Sequence, residues 1–334
     1  MKNIKNLLLL LPMLYAGASV AQNHTTVYGR IDLGYGIGNG GSYEGSQGID
    51  SKFQQWNAAS AASVWGIKGG EDLGNGLRVY FHLEAKLNAE NGDSSGFKRL
   101  SFVGLSGNFG SIQLGRQRNV VNMTLAQFDL ADDPGVTSTT GNAGVYPSGF
   151  SIGGQVSSRF NSMLTYASPE WNGLRVRGGI VLKNDDIWAR AADAKNVFEL
   201  GAQYQYNNLS LGIALRSKPY AGSDAAWGIG AKYDFSTFVL SAGYIDNHDK
   251  EDGKGFFIGA AVPLNAFRVG GQIAYNTYKG ADGERPLAWA LFGNYTLSRN
   301  TSLYLQYGRI NSDAQNVLGA TRRYSTAIGI THNF

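Results

Sequence analysis

Apolar and polar residues alternate along most of the chain. In residues 77–87, LRVYFHLEAKL, apolar side chains occupy the odd positions and polar ones the even positions. Such alternation predicts a β-strand with one apolar and one polar face. The same pattern predicts sixteen strands, at 25–36, 63–71, 77–88, 98–107, 111–116, 159–167, 174–182, 196–206, 209–216, 226–235, 238–246, 255–264, 267–278, 287–297, 302–310 and 322–334.

The connections between these segments are of two kinds. Short turns such as Asn207-Asn208 and Asn265-Ala266 alternate with longer polar loops such as 183–195 and 217–225. This arrangement is typical of an up-and-down barrel that spans a membrane. An even number of strands returns the last strand to the first, so the sheet closes without an exposed edge. We therefore predict an all-β, 16-stranded antiparallel transmembrane β-barrel.

A soluble β-sandwich is the alternative fold, with its apolar faces turned into a core. The apolar face here is large and aromatic for one core, and it includes Trp65, Phe81, Leu100 and Phe102. Tyrosines and tryptophans also gather toward the strand ends, as they do at membrane interfaces. Both features favour the membrane barrel, in which the apolar face of residues 77–87 contacts lipid and the polar face lines the lumen.

The N-terminal residues have the features of a secretory signal. Lys2 and Lys5 precede an apolar run, and Ser19-Val20-Ala21 supplies the small residues of a cleavage site. We predict a signal peptide at 1–21 and a mature barrel at 22–334. Without the two lysines, 27 basic and 25 acidic residues remain. This balance does not favour nucleic-acid binding.

Catalytic and metal-binding patterns are not apparent in the sequence. The chain has no cysteine, and His24, His82, His248 and His332 are scattered without metal-ligand spacing. No nucleophile has a base at a recognisable spacing. We therefore predict no catalytic residue, no metal, no cofactor and no enzymatic activity.

Five segments together carry a family resemblance: VYGRIDLGYG at 27–36, WGIKGGEDLGNGLRVYFHLE at 65–84, KRLSFVGLSGNFGSIQLGRQ at 98–117, YASPEWNGLRVRGGI at 166–180 and the terminal THNF. In order and spacing they resemble Gram-negative general porins of the trimeric, sixteen-stranded type found in β-proteobacteria. The resemblance implies an outer-membrane channel that forms a homotrimer surrounded by lipid. It also implies that Phe334 acts in assembly, and that apolar residues near both termini form trimer contacts: Val27, Ile31, Ile328 and Ile330.

Residues 117–158 show no sustained alternation and form the longest connection. A loop of this length in a compact fold is usually functional. A barrel of about 16 strands is also too wide for its wall side chains to fill. The resemblance implies that this segment, the constriction loop, folds into the lumen and narrows the channel.

Basic residues predominate on the predicted inner wall. If the polar positions of each strand face the lumen, eleven basic residues point inward: Arg30, Lys68, Arg78, Lys86, Arg99, Arg175, Arg177, Arg216, Lys232, Arg268 and Arg323. The inward acids are Asp32, Glu84, Glu199 and Asp234. Such a wall favours anions over cations.

The resemblance assigns part of this basic set to the constriction, namely Arg30, Lys68, Arg78, Lys86 and Arg99. The resemblance also adds Arg116 to the constriction, although its position in the strand alternation faces outward. Either the strand bulges at this residue or Arg116 belongs to the loop root.

The constriction loop carries acids of its own, Asp129, Asp132 and Asp133. Two interpretations remain open for them. They either face the basic wall across the lumen and create a transverse field, or pair with Arg116 or Arg118 and pin the loop.

The predicted function is passive diffusion of ions and small hydrophilic solutes, with a preference for anions. A channel specific for an anionic metabolite such as a carboxylate is the alternative within transport. An adhesin or a barrel enzyme is the alternative of another class. The lack of a catalytic constellation and the short external loops count against the last two.

Overall fold

The structure is a computed structural model that describes residues 24–38, 54–57, 60–131, 140, 143–147, 149–152, 155–183, 194–220, 223–247, 253–277, 283–320 and 322–334. The predicted signal peptide, Asp132 and Asp133 lie outside the described residues. The side chains of 54–57, 151–152 and 155–156 are also not described.

Sixteen antiparallel strands form one closed barrel, as the alternation predicts. In chain order they are β1 His24–Ile37, β2 Val64–Gly74, β3 Leu77–Lys86, β4 Leu100–Gly107, β5 Gly110–Arg118, β6 Arg159–Ala167, β7 Leu174–Val181, β8 Val197–Tyr206, β9 Leu209–Arg216, β10 Ala226–Asp234, β11 Val239–Asp246, β12 Lys254–Leu264, β13 Phe267–Thr277, β14 Leu287–Thr296, β15 Thr301–Ile310 and β16 Tyr324–Asn333. Each strand pairs with its chain neighbours, and β1 also pairs with β16.

The first and the last strand of the barrel, β1 and β16, meet at a seam. Gly29 and Phe334 exchange two backbone hydrogen bonds, each of 3.0 Å. The Phe334 ring packs where a side chain on residue 29 would lie, so a larger residue at this position would displace the ring. The last residue therefore completes the closure of the sheet.

Alternation along the strands separates a lipid face from a lumen face. In β9, Leu211, Ile213 and Leu215 are each about two-fifths exposed, whereas Ser210, Ala214 and Arg216, on the other face of the strand, are buried. The exposed face is apolar, which is the reverse of a soluble protein and is what a lipid environment requires. The lipid-facing band lies outside the barrel, and the buried residues face the loop inside it.

The lipid-facing side predicted for β4, the side of Leu100 and Phe102, is wrong. Val103 is exposed on the lipid face, while Phe102 packs against Tyr80 and His82 on the inner wall. Leu100 is likewise buried on the Phe102 side rather than exposed to lipid. Apolar residues occupy both parities of this strand, so alternation alone does not identify its lipid face.

The connections differ at the two ends of the barrel. At one end the turns are tight, and Asn75 and Gly76 have φ values of 53° and 75°, as a two-residue hairpin turn requires. At the other end the loops contain helix α1 (Val120–Leu125), a 3₁₀ turn (Ala126–Phe128) and helix α2 (Ser312–Leu318). They also contain three short strands, Gln54–Asn57, Ser151–Ile152 and Gln155–Val156. Within the described ranges, no helix has the length and apolar character needed to cross a membrane.

Candidate pore constriction

The constriction loop enters the lumen directly after β5. Asn119 caps α1, because its Oδ1 accepts a hydrogen bond from Asn122 N at 2.7 Å. Its Nδ2 donates to Ser157 O at 2.6 Å, and its backbone N donates to Ser158 O at 3.0 Å. One side chain therefore begins the helix and ties the two ends of the loop together.

Glycines on the inner wall make room for α1 and the 3₁₀ turn. A side chain at Gly201 would collide with Thr124, and one at Gly230 would collide with the Phe128 ring. Phe128 is fully buried in a cluster that also contains Leu125 and wall residues such as Ile245. The loop therefore packs against the β8–β11 wall like a small hydrophobic core inside the barrel.

A buried ion pair holds the start of α1. Glu199 Oε2 accepts a hydrogen bond from Val120 N at 2.7 Å, and its Oε1 lies 2.7 Å from Arg216. Arg216 also donates to Phe150 O at 2.7 Å, and its guanidinium lies over the Phe150 and Phe160 rings. Both charged side chains are buried, so the inward Arg216 anchors the loop and does not face the water of the lumen.

Asp129 follows the 3₁₀ turn and lies against β13. Its carboxylate accepts hydrogen bonds from Gln272 Nε2 at 2.8 Å and from Thr140 Oγ1 at 2.6 Å. Gln272 Oε1 in turn accepts from Leu130 N at 2.9 Å. Arg116 belongs to β5, on the opposite side of the sixteen-stranded barrel from β13. Asp129 is therefore attached to a strand eight positions around the barrel from the strand that carries Arg116.

Four arginines, namely Arg159 and three within electrostatic range of it, lie near the place where the constriction loop leaves and re-enters the wall, and we call them the arginine cluster: Arg99, Arg116, Arg118 and Arg159. Arg159 is within electrostatic range of the other three and of one carboxylate, Glu84. Arg99 Nε donates to Glu84 Oε1 at 2.6 Å. Glu84 therefore offsets part of the positive charge of the cluster.

Arg116 is a strand residue and not part of the loop root. It pairs with Ser101 in the β4–β5 register, and its guanidinium donates to Lys98 O and to Asn161 Oδ1. The β5–β6 register shifts between Gly115 and Gln117. This irregularity in the pairing agrees with the bulge interpretation of its parity.

The other predicted constriction residues are spread along the inner wall. Arg30 Nε donates to Ala62 O at 3.0 Å, and Lys86 is half-buried at the end of β3. Lys68 Nζ lies 4.9 Å from the centre of the Tyr28 ring. Lys68 and the exposed Arg78 line one recess of the wall. The structure thus groups Arg99 with Arg116, and Lys68 with Arg78.

The inward acids are engaged by their neighbours. Asp32 is buried and accepts hydrogen bonds from Tyr304, Thr331 and the backbone of residues 60 and 61. Asp234 accepts from Ser236 N in a turn. Arg323 directly precedes β16, which begins at Tyr324; its carbonyl accepts a hydrogen bond from Ile310 N at 2.8 Å, and its Nε donates to Gln315 Oε1 at 2.7 Å.

Two members of the arginine cluster were not predicted as wall residues. Arg118 and Arg159 are register partners at the ends of β5 and β6, where the chain leaves and re-enters the wall. The sequence does place one arginine at each end of the non-alternating segment, and this is the signal that could have indicated the pair. The described residues contain no group of His, Cys, Asp or Glu side chains placed to hold a metal ion.

A closed barrel with an apolar outer face, charged side chains on its inner wall and a loop packed inside it defines a membrane channel. The sequence profile of the Gram-negative porin family matches residues 8–315. The chain belongs to this family. It is an outer-membrane porin, a passive diffusion channel rather than an enzyme.

Individual relatives agree with this assignment. Outer membrane porin protein 32 of Delftia acidovorans is 26% identical over 98% of this chain and 95% of its own length. An anion-selective porin from Comamonas acidovorans has the same fold, with a TM-score of 0.74 at 23% identity over 94% of this chain and 100% of its own. OmpT of Vibrio cholerae in its trimer form gives a TM-score of 0.63 at 14% identity, over 93% of this chain and 99% of its own.

Proposed function

We propose that this porin conducts small anions in preference to cations. The arginine cluster carries the proposal, because Arg159 is within electrostatic range of three further guanidinium groups but of only one carboxylate, Glu84, which is already paired with Arg99. Positive charge beside a narrow aqueous path lowers the energy of anions there and raises that of cations. The anion-selective porin with the same fold supports the same direction.

Asp129 gives the constriction a second property in this proposal. With the arginine cluster on one wall and Asp129 on the other, charges of opposite sign face each other across the lumen. The resulting transverse field orients dipolar solutes and disfavours apolar ones. The hydrogen bonds of Asp129 to Gln272 and Thr140 support a fixed position for its charge.

The assembly we propose is a homotrimer in which each subunit has its own pore. Val27, Ile328 and Ile330 are exposed on the apolar outer face of β1 and β16, which are neighbours in the sheet. The trimer form of OmpT supports this assembly. Light scattering of the protein in detergent is expected to give the mass of three chains, and a monomer mass would contradict the proposal.

Reversal potentials in planar bilayers test the ion preference. Under a KCl gradient, the wild-type channel is expected to show a higher permeability for chloride than for potassium. Salt screens charges, so the preference is expected to be larger at low ionic strength. A clear preference for potassium would overturn the proposal.

A further inference from the structure

A recess of about 550 Å³ opens in the inner wall formed by β1 to β5. Two cationic side chains line it, Lys68 and Arg78, and its aromatic residues include Tyr80, His82 and Phe102. We propose that this aromatic recess binds aromatic carboxylates as they pass through the channel. The inference rests on the proposed anion preference and names a solute class for it.

The two cations of the aromatic recess are placed to receive a carboxylate. Arg78 is exposed, and Lys68 Nζ lies beside the Tyr28 ring. Asp72 is the register partner of Arg78, but its Oδ1 accepts a hydrogen bond from Gly74 N at 2.8 Å. Among the described residues, no ion pair engages Lys68 or Arg78. A guanidinium presents paired donors that match the two oxygens of a carboxylate.

The aromatic side chains form a continuous row along the recess. The centres of the His82 and Phe102 rings are 5.6 Å apart, and those of Phe102 and Tyr80 are 6.3 Å apart, both with edge-to-face geometry. Gln113 Nε2 donates to the Tyr80 hydroxyl at 3.0 Å and fixes the end of the row. A solute ring that enters the recess therefore meets partners already held in a favourable geometry for aromatic packing.

Phe102 sets the chemical class of the solute. It is an apolar side chain on the inner wall of an aqueous channel, and it is only partly covered by its neighbours. A bound ring removes apolar surface of Phe102 from water, whereas a small inorganic anion does not. Cations on one side and a ring on the other match a solute that carries a carboxylate on an aromatic ring.

Benzoate and cyclohexanecarboxylate test this site, because each has one carboxylate on a six-membered ring and only benzoate is aromatic. We expect benzoate to reduce the KCl conductance of the wild-type channel at a roughly two- to ten-fold lower concentration than cyclohexanecarboxylate. Phe102→Leu is expected to abolish this difference, and Phe102→Tyr to retain it. Phe198→Leu is the matched control, because Phe198 is exposed on the lipid face, and it is expected to retain the difference.

The outcomes separate this inference from the proposed function. Equal blocking concentrations of the two acids in the wild type would overturn the aromatic recess. The proposal would also be overturned if the difference between the two blocking concentrations persisted in Phe102→Leu or disappeared in Phe198→Leu. The reversal potential in the same membranes reports the ion preference independently. If Phe102→Leu forms no channels, the double variant Lys68→Gln/Arg78→Gln carries the test: higher blocking concentrations for both acids support the site, and unchanged ones refute it.

Discussion

The Glu199 carboxylate joins the constriction helix to the barrel wall. One of its oxygens accepts the hydrogen bond of Val120 N, and the other lies 2.7 Å from Arg216. Both charged side chains are buried, so each depends on the other for the neutralisation of its charge. The position of the loop in the lumen is therefore coupled to one ion pair in the wall.

Glu199→Gln is expected to weaken this attachment. The change leaves the Arg216 charge buried without its partner, which costs about 3–5 kcal/mol in comparable sites. Limited proteolysis is expected to cut the constriction loop faster in this variant, and single-channel currents are expected to become noisier. The double variant Glu199→Gln/Arg216→Met removes both charges and is expected to recover part of the loss. If the double variant is cut as fast as the single one, the buried unpaired charge of Arg216 is not the reason for the faster cleavage of the loop.

Arg99→Gln is expected to reduce anion preference more than Arg78→Gln does. Each substitution removes one positive charge. Arg99 lies where the constriction loop leaves the wall, within electrostatic range of Arg159, whereas Arg78 adjoins the Asn75-Gly76 turn at the end of β3. A charge beside the narrow part of the path acts on ions at closer range. Reversal potentials in a KCl gradient measure the two effects, and the gap between them is expected to narrow at high salt. Equal shifts would contradict a greater influence of charge at the constriction than at the turn.

Two neighbouring glycines of β7 are expected to differ in how much stability the same substitution costs. A side chain at Gly179 meets Val120 and Met163 under the constriction helix, whereas one at Gly178 meets open space. Gly179→Leu is expected to cost about 1–3 kcal/mol by overpacking. Gly178→Leu is expected to leave stability nearly unchanged. Thermal unfolding in detergent and proteolysis of the loop check both variants, and equal losses would contradict this packing.

Asp32→Asn is expected to destabilise the closure of the barrel. The carboxylate of Asp32 accepts hydrogen bonds from β15 through Tyr304, from β16 through Thr331 and from the first long loop. The NH2 group of an asparagine would face some of the N–H and O–H groups that now donate to the carboxylate. Each buried polar group left without a hydrogen bond costs about 1–3 kcal/mol. The unfolding temperature in detergent is expected to fall.

Asp234→Asn is the control for this prediction, because Asp234 bonds Ser236 N in an exposed turn. Its unfolding temperature is expected to stay close to that of the wild type. A similar fall in both variants would show that the effect is not specific to the seam.

Local patterns identified most of the barrel. Strict alternation located all sixteen strands and, in β3 and β9, the face that contacts lipid. It did not decide β4, where Leu100 and Phe102 have one parity and Val103 and Leu105 the other. The pairing with β3 resolves the choice, because it turns Phe102 toward Tyr80 and His82.

The sequence by itself determined the class of the protein, the strand order and the excess of basic residues on the inner wall, because side-chain alternation along a strand is a local property. Only the tertiary structure decided which charges act together. Arg216 and Glu199 neutralise each other under the loop, and Arg99 engages Glu84. Arg118 and Arg159 join Arg99 and Arg116 because β5 and β6 are adjacent across a long connection. Contacts between residues distant in the chain depend on strand pairing and loop packing, which a pattern of alternation does not contain.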